Sequence, residues 1–174
     1  DPNSSGETLE FTSGSDTSGA VYAVGRAGSG DNSMGFTMKL DDLSAADPNQ
    51  VFYEVTNTTE KYDSSDGVTV DSQGYVYTVG TSAGSLDNQI NPGGNDVFLI
   101  KRDHAGNEVW TQHLGSADNS AGFAVAVDGN DNVVVTGQTA GKLTEEAYGG
   151  LMDTFVTQYD SEGEEQWTRQ ASPS

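Results

Sequence analysis

Two stretches decide the fold: Ala126-Val-Asp-Gly-Asn-Asp-Asn-Val-Val-Val-Thr-Gly137, and Asp153-Thr-Phe-Val-Thr-Gln-Tyr-Asp-Ser-Glu-Gly163 with Gln166-Trp-Thr168 behind it. Both reappear 57 residues earlier. Laying Gly67–Gly115 on Ala124–Ser172 matches Asp71 with Asp128, Gly80 with Gly137, Gly84 with Gly141 and Asp96 with Asp153. The same offset matches Phe98 with Phe155, Asp103 with Asp160, Gly106 with Gly163 and Trp110 with Trp167, without a gap. Self-similarity at a fixed period of this size is the signature of a repeat architecture. A looser copy lies upstream, where Gly19-Ala-Val-Tyr-Ala-Val-Gly25 aligns with Gly74–Gly80 and Phe36-Thr-Met-Lys-Leu-Asp41 with Phe98–Asp103. Its offsets are 55 and 62 residues, so its length differences fall in loops, where a fixed strand framework tolerates them.

Each copy reads as four strands. In the second, Gly67–Val70 is a short strand and Asp71-Ser-Gln-Gly74 a turn, because Asp can bond its own backbone two residues on and Gly accepts a positive φ. Tyr75–Val79, β-branched or aromatic throughout, is the second strand. Val97–Arg102 and Glu108–Leu114 follow, separated by the Asp103–Asn107 turn. The third copy repeats this as Phe123–Val127, Val133–Thr136, Thr154–Tyr159 and Glu165–Gln170. Helical periodicity is absent apart from one candidate turn at Thr144–Tyr148. The expected fold is all-β: about three tandem four-stranded antiparallel sheets, arranged like β-propeller blades. They span residues 8–62, 63–117 and 118–174, after an extension at 1–7.

The wording of these repeats resembles the SBBP-type β-propeller repeat family of bacteria and archaea, well over residues 66–172 and loosely over 8–62. The resemblance implies blades, an exported or surface location, and no catalysis.

Composition narrows the function further. Twenty-seven acidic side chains against seven basic ones give a formal net charge of −20, a field that repels nucleic acid and anionic membranes. There is no cysteine, which excludes disulfides, zinc–thiolate sites and thiol catalysis. No apolar run approaches the roughly 18 residues that cross a bilayer as a helix. The acidic, Gly- and Ser-rich texture suits an extracellular or cell-surface protein, and six Phe, two Trp and seven Tyr argue against disorder.

Catalytic chemistry finds little to work with. His104 and His113 are the only imidazoles, and the third copy has Ser161 and Gln170 in their places, which marks them as surface residues rather than catalytic bases. Glu145/Glu146 and Glu164/Glu165 are sequence neighbours, which point to opposite faces of a strand and make no glycosidase pair. Asp128-Gly-Asn-Asp-Asn132 has the oxygen-rich look of a calcium loop but lacks the EF-hand Gly and Glu, and a hairpin turn accounts for it. No cofactor or metal site is expected beyond that calcium candidate. The repeated aromatics Phe36, Phe98, Phe155, Trp110 and Trp167 are expected to pack between blades, and Asn3 and Asn57 head candidate N-glycosylation motifs.

Closed propellers carry about four to eight blades. Three leave two open ends with apolar sheet faces and unpaired strand edges, which invite association. Self-association is therefore expected, as a closed oligomer or a head-to-tail filament, with the Glu7–Thr12 strand as a candidate for exchange between copies; the third reading is a part of a longer propeller or a differently packed three-sheet domain. The function read from the chain is a non-catalytic extracellular structural or adhesive module. The alternatives are a glycan- or protein-binding lectin-like propeller, with Tyr62 and Tyr148 as candidate aromatics, and, less favoured, a propeller lyase or hydrolase.

Overall fold

The computed structural model describes residues 10–15, 20–28, 33–40, 51–57, 61–85, 94–144 and 152–172. Twelve strands make three four-stranded sheets, each filled by consecutive strands paired antiparallel. Blade 1 holds β1 (Glu10–Ser15), β2 (Val21–Ala27), β3 (Met34–Leu40) and β4 (Val51–Asn57). Blade 2 holds β5 (Asp63–Val70), β6 (Val76–Ser82), β7 (Asp96–Arg102) and β8 (Glu108–Leu114). Blade 3 holds β9 (Ser120–Val127), β10 (Val133–Thr139), β11 (Asp153–Tyr159) and β12 (Glu165–Ala171). No helix occurs among the described residues; of the candidate turn at Thr144–Tyr148, only Thr144 falls within them.

β1 bears on the expected strand exchange. It pairs with β2 from Glu10↔Arg26 to Ser15↔Val21, so the Glu10–Thr12 half of that segment is taken up by the chain's own first sheet. Residues 7–9 lie outside the described residues.

The repeated Asp–Gly turns fold for the reason read from the sequence. Asp71 accepts bonds from the amides of Gln73 and Tyr75, both at 2.9 Å, and Gly74 adopts φ +84. Asp103 does the same for Ala105 and Asn107, and Asp160 for Glu162 and Glu164, with Gly106 and Gly163 left-handed. At the third-copy turn Asp131 replaces the glycine and takes φ 61. An aspartate tolerates that region better than most residues but not freely.

Register shifts recur at matching places, at Lys39/Leu40, Lys101/Arg102 and Gln158/Tyr159 between the third and fourth strands. Such bulges sharpen the right-handed twist and let each sheet coil as a blade.

The blades stack in series. The first strand of each wedges into the preceding sheet: β5 against β1, β2 and β3, and β9 against β5, β6 and β7. Side chains alternate between a leading face, toward the preceding blade, and a trailing face, toward the following one. Tyr22 and Val24 of blade 1 meet Val68 and Val76 of blade 2. Tyr77, Val79, Val97 and Leu99 on the trailing face of blade 2 close the larger core with Val133, Val135, Phe155 and Tyr159 of blade 3.

β5 starts four residues before the apolar pattern does. Asp63, Ser64 and Ser65 are polar yet buried, and the Asp63 amide donates to the Ser33 carbonyl of blade 1 at 3.1 Å. β9 likewise starts at Ser120, whose hydroxyl donates to Thr139 Oγ1 at 2.9 Å. Strand propensity misses such segments because hydrogen bonding, not apolar burial, holds them.

Candidate functional site

The chemically distinctive groups gather at the joints between blades. Between blades 2 and 3, Lys101 is buried on the trailing face, 4.3 Å from the centre of the Tyr75 ring and 5.2 Å from that of Tyr77. Its ammonium donates to the Ser161 carbonyl at 2.8 Å, and the Trp110 indole N–H donates to the same oxygen at 3.1 Å. The Asp160–Gly163 turn of blade 3 is thus gripped by a cation and an indole from blade 2. Gly163 lies so close over the Trp110 ring that a Cβ there would sit 3.0 Å from it. Lys39, 5.8 Å from the centre of the Tyr22 ring, holds the equivalent place in blade 1. A buried ammonium is tolerated where an aromatic face and a carbonyl replace its hydration.

Small residues change sides between the two joints. At joint 1/2 the close approach is made by Gly35 of blade 1 against Ser65, where a Cβ would lie 2.8 Å from the hydroxyl. At joint 2/3 the same two positions hold Val97 and Gly122, and a Cβ on Gly122 would meet Val97 at 2.7 Å. One partner of the pair must be glycine for the first strand of a blade to seat.

Asp131 makes a second clamp across joint 2/3. Its carboxylate accepts from the Ser72 amide at 3.0 Å and the Ser72 hydroxyl at 2.7 Å, and these bonds hold its pKa below the ordinary carboxylate value. Asp131→Ala loses both bonds and leaves a Cβ residue in the left-handed region, whereas Asp131→Gly loses only the bonds. The alanine variant is expected to melt several degrees below the glycine variant in a thermal scan. Equal melting temperatures would mean that the φ of Asp131 carries no cost.

The residues of the calcium candidate make hairpin hydrogen bonds. Asp128 accepts from the amides of Asn130 and Asn132 and from the Asn132 side chain, which pulls its pKa down, and both Asp131 oxygens face Ser72. A cation there would have to displace N–H and O–H donors. Among the described residues no group of three or more His, Asp or Glu side chains is placed to hold a metal.

Phe98, Phe155 and Phe36 are buried, and each lies across from a glycine of the neighbouring strand: Gly80, Gly137 and Gly25. Trp110 is half-buried at the joint, while Trp167 stands 36% exposed on the trailing face of blade 3 and donates to Gln158 Oε1 of its own sheet at 2.7 Å. His104 is exposed and stacks on Tyr75 with ring centres 6.1 Å apart. His113 corrects the surface reading: both its ring nitrogens are shielded from solvent on β8, across from Phe98. Tyr62 is half-buried and accepts from Arg26 Nη1 at 3.1 Å, so its hydroxyl is engaged within the fold. Asn57 closes β4; Asn3 and Tyr148 lie outside the described residues.

Sequence reasoning passed over one pair of groups. Asp96 and Asp153 are fully buried at matching positions. Asp153 accepts from Gln170 Nε2 at 2.7 Å, but blade 2 carries His113 where blade 3 carries Gln170. Neither Asp96 oxygen has a partner within hydrogen-bond geometry, and burial pushes its carboxyl up to about 6, with the Ser116 backbone pulling weakly downward. The repetition of Asp96 at Asp153 was a legible signal, though of a role in packing as much as in chemistry.

No family model matches the chain. Part of it is 30% identical, over 111 residues, to the regulatory protein FlaEY of Caulobacter vibrioides. The match covers 56% of this chain and 12% of FlaEY.

Proposed function

We propose that the chain is a non-catalytic structural or adhesive module of the SBBP-type propeller class, working outside the cell or at its surface and self-associating through its end blades. The observation that carries the reading is that exposed apolar groups stand on both end blades, with Met34 45% exposed on blade 1 and Phe123 and Trp167 exposed on blade 3. Contiguous apolar surface, rather than single exposed side chains, marks a place where another protein docks, and Met34 stands in one face of β2 and β3 with Val21, Ala23, Ala27, Met38 and Leu40. The two histidines support a non-catalytic reading, one stacked on Tyr75 and the other shielded within its blade. The likeness to FlaEY is compatible with a repeat module used within larger proteins, and the regulatory role belongs to that whole protein.

Sedimentation velocity of the purified chain over a hundredfold range of concentration tests the association. A weight-average mass that climbs with concentration is expected. A single monomer boundary throughout would overturn the reading.

A further inference from the structure

Blades 2 and 3 seat their first strands by different fits. At joint 1/2, β3 offers Gly35, and Ser65 of β5 stands against it. At joint 2/3, β7 offers Val97 at the position of Gly35, and β9 answers with Gly122 at the position of Ser65. All four residues are buried. The bulky partner has moved from the first strand to the third, and each joint still holds one glycine.

Crossing the partners spoils the fit in both directions. A Cβ on residue 122 would lie 2.7 Å from Val97 Cγ1, 2.8 Å from Val79 Cγ2 and 3.0 Å from the Gly80 carbonyl oxygen. Ser65 in that seat would bring a Cβ and a hydroxyl into the same space. Val97 cannot turn aside, because a β-branched side chain is stiff at χ1 and this one is buried in the larger core. Gly122 set against Gly35 would meet no obstacle but would leave a gap, with the cost of a cavity. The two pairings found in the chain are the ones with neither collision nor gap.

Val79 and Gly80 do not account for the difference. Blade 1 carries Val24 and Gly25 at their positions, and Ser65 is seated and buried there. What differs between the two seats is the residue at 35 or 97.

We propose that this residue pair selects which blade can follow which. Val97 makes the trailing face of blade 2 a surface for a first strand that carries glycine, and it excludes the leading face of a second blade 2, whether from the same chain or another copy. Gly35 gives the trailing face of blade 1 the opposite preference. Discrimination of this kind is built by placing a collision against the wrong partner. It acts at joints within the chain and does not depend on self-association.

Thermal melting of point variants tests the pair. Gly122→Ser puts the blade 2 residue into the blade 3 seat and is expected to lower the melting temperature by about 5 °C or more. Val97→Gly alone is expected to lower it too, since a buried side chain is lost. On the Val97→Gly background the serine rebuilds the pair of joint 1/2, and there it is expected to cost nothing or to raise the melting temperature. A serine that is harmful for its own sake costs the same on both backgrounds, and that result would overturn the proposal.

Blade order is read directly in a chain whose residues 118–174 are replaced by a second copy of residues 63–117. Val97→Gly in the first of the two blade 2 copies is expected to raise the melting temperature of this rearranged chain, although it lowers that of the unmodified one. A loss in both chains would mean that Val97 stabilises whatever follows it and selects nothing. Should the rearranged chain fail to fold with either residue, the comparison of Gly122→Ser on the two backgrounds still decides.

Discussion

Gly137→Ala is expected to destabilise the protein by about 3 kcal/mol or more, because the added methyl has nowhere to go. A Cβ at this position would overlap the Ala121 carbonyl oxygen of β9 and come within 2.6 Å of the Phe155 ring. The first obstacle is backbone, at the register shift between Thr136 and Gly137, and cannot swing away. The second is a ring buried to 1% exposure in the core of joint 2/3. Gly80 in blade 2 faces the same pair of obstacles, in Ser64 O and Phe98, so Gly80→Ala should behave alike. Urea denaturation followed by tryptophan fluorescence and circular dichroism reads the change. A double-mutant cycle with Phe155→Ala separates the two clashes: on the alanine background Gly137→Ala should cost less, though not nothing, since the carbonyl remains. A single-variant cost below about 1 kcal/mol would mean that the Gly–Phe contact does not explain why these residues recur together.

That contact also shows what could be read before any coordinates. Gly80/Gly137 and Phe98/Phe155 keep one offset because a ring packed on a bare Cα fixes both residues at once. The Asp–Gly turns were legible for a similar reason: the whole interaction lies within five residues and uses atoms whose chemistry is known from the sequence. What escaped notice needed knowledge of which face a residue points to. Ser64 and Ser65 look like loop, yet are buried strand, because their neighbours are strands of blade 1 far away in the sequence. Lys39 and Lys101 align in the repeat, but an aligned lysine reads as solvated surface until the rings of Tyr22, Tyr75 and Tyr77 are placed beside it. The leading face of blade 1 is apolar on β2 and β3, whereas Thr136, Gln138 and Gln158 have entered the trailing face of blade 3. Period-two alternation was visible throughout; assigning each alternate set to a neighbour required the order in which the blades stack.

Asp96 carries the largest pH effect expected of the described residues between pH 4 and pH 8. Its carboxyl is fully buried and its pKa stands at about 6, raised from 3.8 chiefly by burial. The folded protein therefore keeps a proton that the unfolded chain releases between those two values. Below pH 4 both states hold the proton and Asp96 imposes no electrostatic penalty. Between pH 4 and pH 6 the unfolded chain gives up the proton while the folded state keeps it, so stability falls as pH rises and levels off above 6, where both states are ionised. A displacement of about two pKa units corresponds to about 3 kcal/mol between the acid and the neutral limits. Asp96→Asn is uncharged at every pH, so it should gain about that much relative to the unmodified protein between pH 4 and pH 8, whatever its own packing cost. Other carboxylates titrate over the same interval, and the difference between the two proteins cancels them. Asp153→Asn is the comparison at the matching position, where Gln170 Nε2 donates to the Asp153 side chain at 2.7 Å. Chemical denaturation of all three proteins at half-unit steps of pH decides the matter. The Asp96→Asn curve should run parallel to the unmodified one below pH 4, offset by its packing cost, and move away from it between pH 4 and pH 6, with a steady gap above that. A gap constant across the whole range would place the Asp96 proton in the unfolded chain's ordinary range and remove burial as the cause.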